Sequence, residues 1–158
     1  MTSWFREHVH PAAWGAIFGF AATIPMTGFM LLAHRLLPKT QQYALPPQRI
    51  TNRLAERAGL RKHLDRRQLL LGTLASHFGY GTTCGAVYGL LLSRFGRSWL
   101  TAPLFGLLVW AVSYLGWLPA FHILPPTTQE PPGRGRLIVG AHLVWGGSMG
   151  GLWMFRRS

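Results

Sequence analysis

The sequence predicts an all-α integral membrane protein, a four-transmembrane-helix bundle built from two similar helical hairpins with a short amphipathic helix in the first loop. Three observations predict this class. Four long apolar stretches carry no Lys, Arg, Asp or Glu, although the chain of 158 residues has a formal net charge of +12. The basic residues concentrate in the connections, and the second and fourth stretches share an internal repeat.

Each apolar stretch is long enough to cross a bilayer, which takes about 20 predominantly apolar residues. None of them has a polar face to present to water, so a bilayer is their expected environment. The length of the chain predicts one membrane domain over residues 1–158. The predicted spans are residues 13–33, 68–92, 99–118 and 137–155.

The composition excludes several function classes. A single cysteine, Cys84, excludes an internal disulfide and a multi-cysteine zinc site. The four acidic residues all lie in predicted tails or loops, and no phosphate-binding loop or serine elbow is present. We therefore predict a protein that is not an enzyme and that has no catalytic residues.

The distribution of Arg and Lys predicts the orientation in the membrane. Eleven basic residues lie in the loop over residues 35–67 and just before the fourth span, against five on the other side. Because positively charged loops stay on the cytoplasmic side, the loop over 35–67 is predicted to be cytoplasmic. Both termini are then predicted to be periplasmic.

The first loop contains a pattern typical of an amphipathic helix that ends near Gly59. Apolar residues recur every four positions from Ile50, beside a parallel stripe of arginines. Such a helix lies in the membrane plane with its arginines among anionic lipid headgroups, and the alternative is a solvated loop helix. The loop offers no aromatic residues interleaved on a basic face, so no nucleic-acid partner is predicted. The arginines are Arg49, Arg53, Arg57 and Arg61.

A repeat links the second and fourth spans, which cross in the same direction. Histidine, aromatic residue, glycine, glycine and aromatic residue recur with the same spacing in both. The repeat predicts a duplicated helical hairpin with an axis along the membrane normal. The paired positions are His77 and His142, Tyr80 and Trp145, Gly81 and Gly146, Gly85 and Gly150, and Tyr88 and Trp153.

The first and third spans also resemble each other, but with a slip of one residue. Gly19 precedes the segment His34-Arg35-Leu36-Leu37-Pro38, and Gly106 precedes His122-Ile123-Leu124-Pro125 at a separation one residue longer.

Glycines four residues apart form stripes on three of the predicted helices. Small residues at this spacing let helix backbones approach closely, which is a main source of helix association in lipid. The stripes could pair within one chain, with a second copy, or with other membrane-protein subunits. The predicted packing residues are Gly15, Gly19, Gly81, Gly85, Gly89, Gly146 and Gly150.

His77 and His142 share the glycine faces, so we expect both to point into the bundle. One interpretation is structural, with each neutral imidazole bonded to a backbone carbonyl or to a hydroxyl such as Ser76, Thr82 or Ser148. A second is a bis-imidazole haem or metal site. A third is proton handling, because ionisable groups inside a membrane are functional candidates. No metal site and no cofactor are predicted otherwise.

Several segments together resemble the YagU-like family of small bacterial inner-membrane proteins of unknown function. The resemblance implies a multi-pass protein of the bacterial inner membrane, with a link to acid survival and no catalytic residues. The segments are Gly19…Ala22-Thr23…Met26-Thr27, Leu45-Pro46-Pro47 with Ile50-Thr51…Leu54-Ala55, and Ser76-His77-Phe78-Gly79-Tyr80-Gly81…Gly85…Tyr88-Gly89.

The predicted function is that of a non-enzymatic multi-pass inner-membrane protein. It would be an accessory or structural subunit of a larger membrane complex, or a stress-related membrane protein. The alternative is an intramembrane cofactor-binding or proton-handling protein centred on the two histidines. The expected partners are the lipid bilayer and anionic lipids, together with other membrane subunits or a second copy of the chain.

Overall fold

The computed structural model describes residues 10–95 and 100–156, and regular structure in these ranges is helical throughout. Residue 99, where the third predicted span begins, lies outside them. Two short 3-10 turns, Lys39–Gln41 and Thr127–Gln129, lie in the connections. The helices, in chain order, are α1 (His10–Leu36), α2 (Pro46–Arg57), α3 (Arg66–Phe95), α4 (Thr101–Ala120) and α5 (Pro132–Phe155).

Three helices, α1, α4 and α5, are long and apolar enough to cross a membrane by length and composition. They suggest membrane association and correspond to the first, third and fourth predicted spans. The second predicted span, residues 68–92, falls in α3, a helix of 30 residues that is not among these three. Glycines, hydroxyl residues and a histidine lower the mean hydropathy of α3.

The helices extend beyond the predicted spans, most of all at the start of α5, except that α4 begins at Thr101, inside the predicted span. This helix begins at Pro132 and not at residue 137, so Arg134 and Arg136 lie inside a helix and not in the loop where the sequence analysis placed them. The charge of Arg134 predicted a position in a loop, but its side chain is fully buried and its guanidinium has hydrogen-bond partners there. Proline suits the first turn of a helix, where its missing N–H would have no partner.

The helix α4 contains an irregular segment. Residues Val112–Trp117 form a π-helix, and the backbone of Gly116 departs from helical angles (φ −105°, ψ −105°). The helix nevertheless continues through Pro119 to Ala120.

The long helices pack in the order α3, α1, α5, α4. The helix α1 packs extensively on α3 and on α5, and α5 packs on α4, whereas the backbones of α3 and α4 stay apart and only side chains join them. A gap therefore separates α3 from α4, with α1 and α5 behind it. The core includes an edge-to-face pair of Phe18 and Trp153 with ring centroids 5.2 Å apart.

Glycines bring α1 very close to α3. A Cβ added at Gly19 would lie 2.8 Å from the Cα of Gly85 and would overlap the carbonyl oxygen of Gly81. A Cβ at Gly15 would lie 3.0 Å from the Cα of Gly89. The helices α4 and α5 approach in a similar way, since a Cβ at Gly146 would lie 2.9 Å from the Cα of Pro103.

The helix α2 occupies the position of the predicted amphipathic helix, and Gly59 ends it. Gly59 adopts a left-handed conformation (φ 69°), which glycine tolerates best. Its N–H donates to the carbonyl of Glu56, and the N–H of Leu60 donates to the carbonyl of Ala55. Arg61, at the end of the predicted arginine stripe, lies beyond the helix.

Candidate functional site

A cavity of about 200 Å³ fills the gap between α3 and α4; we call it the His77–His142 cavity because both histidines line it. Its walls are mainly apolar, with Met26 of α1 and Ile138 of α5 at the back. The helix α2 covers one end with Pro47, Ile50 and Leu54. Trp117 of α4 and Trp145 of α5 also line the cavity.

His142 projects from α5 and is buried, with 6% of its surface exposed. Its Nδ1 lies 2.8 Å from the carbonyl oxygen of Ile138, one turn earlier in the helix. Because a carbonyl only accepts, Nδ1 is the donor, and in a neutral ring Nε2 then carries the lone pair. The ring also packs edge-to-face on Tyr114 of α4, with centroids 5.7 Å apart.

His77 projects from α3 and is half-buried, and its Nε2 lies 3.2 Å from the hydroxyl oxygen of Thr27 in α1. The Thr27 hydroxyl donates its own hydrogen to the carbonyl of Thr23, 2.7 Å away. It can therefore only accept from His77, so Nε2 is the donor and Nδ1 carries the lone pair in a neutral ring. Each histidine is thus fixed by one hydrogen bond and keeps one lone-pair nitrogen.

A hydrogen bond crosses the gap beside the cavity. The hydroxyl groups of Tyr80 in α3 and Ser113 in α4 lie 2.8 Å apart, and Tyr80 packs against Trp117 with ring centroids 6.2 Å apart. Ser113 and Tyr114 both belong to the π-helical segment, a type of irregularity that often occurs at functional sites. The π segment therefore supplies polar groups to the cavity.

The structure brings the two predicted histidines to one cavity, which the sequence repeat alone did not show. Their partners are the Thr27 hydroxyl and the Ile138 carbonyl, the two kinds of group that the structural interpretation expected, although Thr27 is not one of the three hydroxyl residues given there as examples. None of the described lining residues is acidic. Among residues 10–95 and 100–156, no three His, Cys, Asp or Glu side chains group closely enough to hold a metal ion.

A second polar cluster, centred on Glu130, was missed by the sequence analysis. Arg134 donates from Nε to Glu130 over 3.2 Å and from Nη1 and Nη2 to the carbonyls of Tyr43 and Ala44, each over 2.9 Å. Arg49 donates to the other Glu130 oxygen at 2.5 Å, and the Tyr43 hydroxyl also donates to Glu130. The separation of four residues between Glu130 and Arg134, just before and just inside the start of α5, was the signal that could have found it.

The cluster changes the pKa of two of its members. Desolvation acts to raise the pKa of Glu130, but the hydrogen bond from Tyr43 and the charges of Arg49 and Arg134 outweigh it, so the pKa lies below its ordinary value. Desolvation, together with the hydrogen bond to Glu130, raises the pKa of Tyr43. Glu130 therefore stays ionised, and the cluster ties α2 to the start of α5.

The predicted headgroup arginines have different surroundings. Arg49 pairs with Glu130, and Arg57 donates to the carbonyl of His122 at the end of α4 over 3.2 Å. Arg53 lies exposed beside Glu56 at 3.4 Å, and Arg61 is also exposed. Two of the four therefore hold α2 onto the rest of the protein, and contact of the set with lipid headgroups stays a prediction.

No family model matches this chain, and neither a curated protein nor a solved structure matches it. The resemblance to the YagU-like family therefore stays a prediction.

Proposed function

We propose that the chain crosses the bacterial inner membrane four times, as two similar hairpins, with both termini in the periplasm. At about 1.5 Å per residue, the 30 residues of α3 extend about 45 Å, which exceeds a hydrocarbon core of about 30 Å. Gly81, Gly85 and Gly89, which lower its mean hydropathy, are buried against α1 and do not face lipid. The concentration of basic residues in the first loop supports the orientation.

Within this topology we propose a non-enzymatic protein that binds a small lipophilic molecule in the His77–His142 cavity. The observation that carries the proposal is that histidines of two helices, 65 positions apart in the repeat, line one mainly apolar cavity. Ligand sites combine apolar walls with a few convergent polar groups in this way. The absence of an acidic residue from the described lining supports binding without catalysis.

The polar groups define the kind of ligand. Nδ1 of His77 and Nε2 of His142 can each accept a hydrogen bond, so the ligand should carry hydroxyl or N–H donors on an apolar body. The volume of about 200 Å³ falls below the range of roughly 300–1,000 Å³ typical of drug-sized ligands and cofactors. A small molecule therefore suits the cavity better than a haem does.

A pair of matched variants tests the proposal. Val109→Trp would fill the cavity from α4, whereas Val112→Trp places the same group on the same helix at a side chain that is 53% exposed. The protein is purified in mild detergent from its native membrane, and organic extracts are analysed by mass spectrometry. A molecule bound near one per chain should be retained by wild type and Val112→Trp and lost from Val109→Trp. Equal retention, or no such molecule in wild type, contradicts ligand binding here.

Two further measurements distinguish cofactor binding and proton handling at the same histidines from the binding of a small molecule. An absorption spectrum of the oxidised and dithionite-reduced protein would show a haem or pigment band, and the band would disappear from the His77→Leu/His142→Leu variant. Proton flux into vesicles that is lost in the same variant would indicate proton handling. A colourless, proton-tight protein that retains a small molecule supports the ligand proposal.

The second candidate function is that of an accessory subunit of a membrane complex, or of a stress-related membrane protein as the YagU-like resemblance implies. Gly147 and Gly151 lie one turn apart on α5, and a Cβ at either would meet nothing within 4 Å, so this face has room for a partner helix. Co-purification from native membranes tests whether the chain is a subunit. A subunit should lose its partner in Gly147→Leu and keep it in Gly28→Leu, an equally open position on α1. A lone stable monomer contradicts the subunit version, and unchanged acid survival of a deletion strain contradicts the stress version.

A further inference from the structure

We infer that a groove between α1, α2 and α3 binds one anionic phospholipid, with its phosphate group at Arg61 and Arg66 and one acyl chain along α3. The groove has a volume of about 630 Å³ and is separate from the His77–His142 cavity, although His77, Met30 and Pro47 border both. The inference does not rest on the ligand proposed for that cavity.

The groove has the length of one membrane leaflet. Its lining on α3 runs from Arg66 through Leu70 and Leu74 to His77, which is three helical turns. The eleven steps from one residue to the next, at a rise of about 1.5 Å each, span roughly 16 Å, about half of a hydrocarbon core of about 30 Å. A groove of this length matches an acyl chain that starts at the headgroup level and ends near the centre of the bilayer.

The apolar walls of the groove are accessible from outside the protein. Leu31 of α1 and Leu70 and Leu74 of α3 line it, and these side chains are 53%, 57% and 41% exposed. Exposed leucines beside a charged rim are the environment that a phospholipid chain meets at a membrane protein surface. A lipid could therefore enter from the surrounding leaflet without any helix moving.

The charged groups at the other end complement a phosphate. Arg61 and Arg66 line the groove together with the amide side chains of Gln48 and Asn52. Arginine binds phosphate oxygens through two parallel hydrogen bonds, and each basic residue adds about 1 kcal/mol of attraction to an anionic membrane surface. None of the described lining residues is acidic, and the nearby Asp65 accepts from the backbone N–H of Gln68 at 2.8 Å.

Native mass spectrometry tests whether the phosphate group binds at the two arginines. The purified full chain is titrated with phosphatidylglycerol or with phosphatidylcholine of the same acyl chains. We expect one tight phosphatidylglycerol per chain, and roughly thirtyfold weaker binding in Arg61→Gln/Arg66→Gln, at about 1 kcal/mol for each arginine. The matched control is Arg53→Gln/Arg67→Gln, which removes two exposed arginines of the same segment outside the groove. Equal weakening in both double variants would mean diffuse electrostatic attraction and would overturn the inference.

A second pair of variants tests whether an acyl chain lies in the groove, independently of charge. Thr73→Trp would block the groove, and Thr83→Trp changes an exposed threonine on the same helix whose hydroxyl likewise donates to the carbonyl four residues earlier. Phosphatidylglycerol binding should weaken in Thr73→Trp only. Unchanged binding in Thr73→Trp, or complete displacement of the lipid by millimolar inorganic phosphate, would indicate a free-phosphate site and overturn the lipid assignment. Circular dichroism and gel filtration check that every variant is folded.

Discussion

Trp145 donates its indole N–H to the backbone carbonyl of Gly19, 3.1 Å away across the interface between α5 and α1. The same turn of α1 lies against Gly81 and Gly85 of α3, and the Thr23 hydroxyl donates to the same carbonyl at 2.8 Å. Gly19 is therefore the point at which three helices meet. Its missing side chain lets α3 approach, and its carbonyl holds α5.

The first prediction follows from this meeting point. Gly19→Ala should lower the free energy of unfolding by about 1–3 kcal/mol, because the new methyl group would overlap the α3 backbone, which cannot yield as a side chain could. Gly28→Ala on the same helix has open space and should be neutral or stabilising by up to about 1 kcal/mol. Unfolding in detergent followed by circular dichroism measures both, and equal effects would contradict the close α1–α3 contact.

The second prediction concerns the tautomers of the two cavity histidines. His142 should carry its hydrogen on Nδ1 and His77 on Nε2, because their partners can only accept. Nitrogen-15 NMR of histidine-labelled protein distinguishes the two forms, and His77→Gln and His142→Gln assign the signals. Finding both rings in the Nε2–H form would show that the Ile138 hydrogen bond is not made.

The third prediction is that Arg134 is essential for stability. Arg134→Gln would leave Glu130 with one fewer cationic partner and would remove donors from the carbonyls of residues 41, 43 and 44. Because breaking a buried ion pair typically costs about 3–5 kcal/mol, we expect a loss of that size in the free energy of unfolding. Arg136→Gln, an exposed position on the same helix, should change it by less than about 0.5 kcal/mol. Similar thermal unfolding of the two variants would contradict the buried cluster.

The fourth prediction is a dependence of stability on pH at Glu130. The pKa of Glu130 in the folded chain lies below its ordinary value of 4.5, so the folded state binds its proton less readily than the unfolded state does. This contribution to stability is complete above pH 4.5 and is lost as the pH falls through the lowered pKa. Glu130→Gln should be less stable than wild type at neutral pH and should lose less stability on acidification.

The control for this prediction is Glu56→Gln, an exposed residue whose partner Arg53 lies 3.4 Å away. It should follow the wild-type pH curve. A Glu130→Gln variant with the full wild-type acid dependence would show that other groups govern the loss of stability. The unfolding midpoint measured in steps from neutral pH to below pH 4 gives all three curves.

The sequence predicted the helices well because length and the absence of charge identify apolar helices directly. It also predicted that His77 and His142 point inwards, since both follow the glycine periodicity. It could not show that the two rings line one cavity, because that depends on the gap between α3 and α4, and no local pattern encodes such a gap.

Arg134 shows why the charged parts were harder to predict. A charge in an apolar region usually marks the end of a span, so the sequence analysis placed Arg134 in a loop. Its burial depends on three backbone carbonyls contributed by a segment about 90 residues earlier, together with Glu130. Irregular loops that present carbonyls to a distant side chain leave no periodic signal in the sequence.

The π segment of α4 has a consequence for the side chains that this helix presents to the cavity. A π-helical hydrogen bond spans one more residue than an α-helical one, so the segment Val112–Trp117 accommodates one additional residue without breaking the helix. The residues that follow the segment are therefore turned about the helix axis relative to their places in an uninterrupted α-helix. Ser113 and Tyr114 both lie in that segment and both line the His77–His142 cavity, so this local irregularity sets the register in which α4 presents its polar groups to the two histidines.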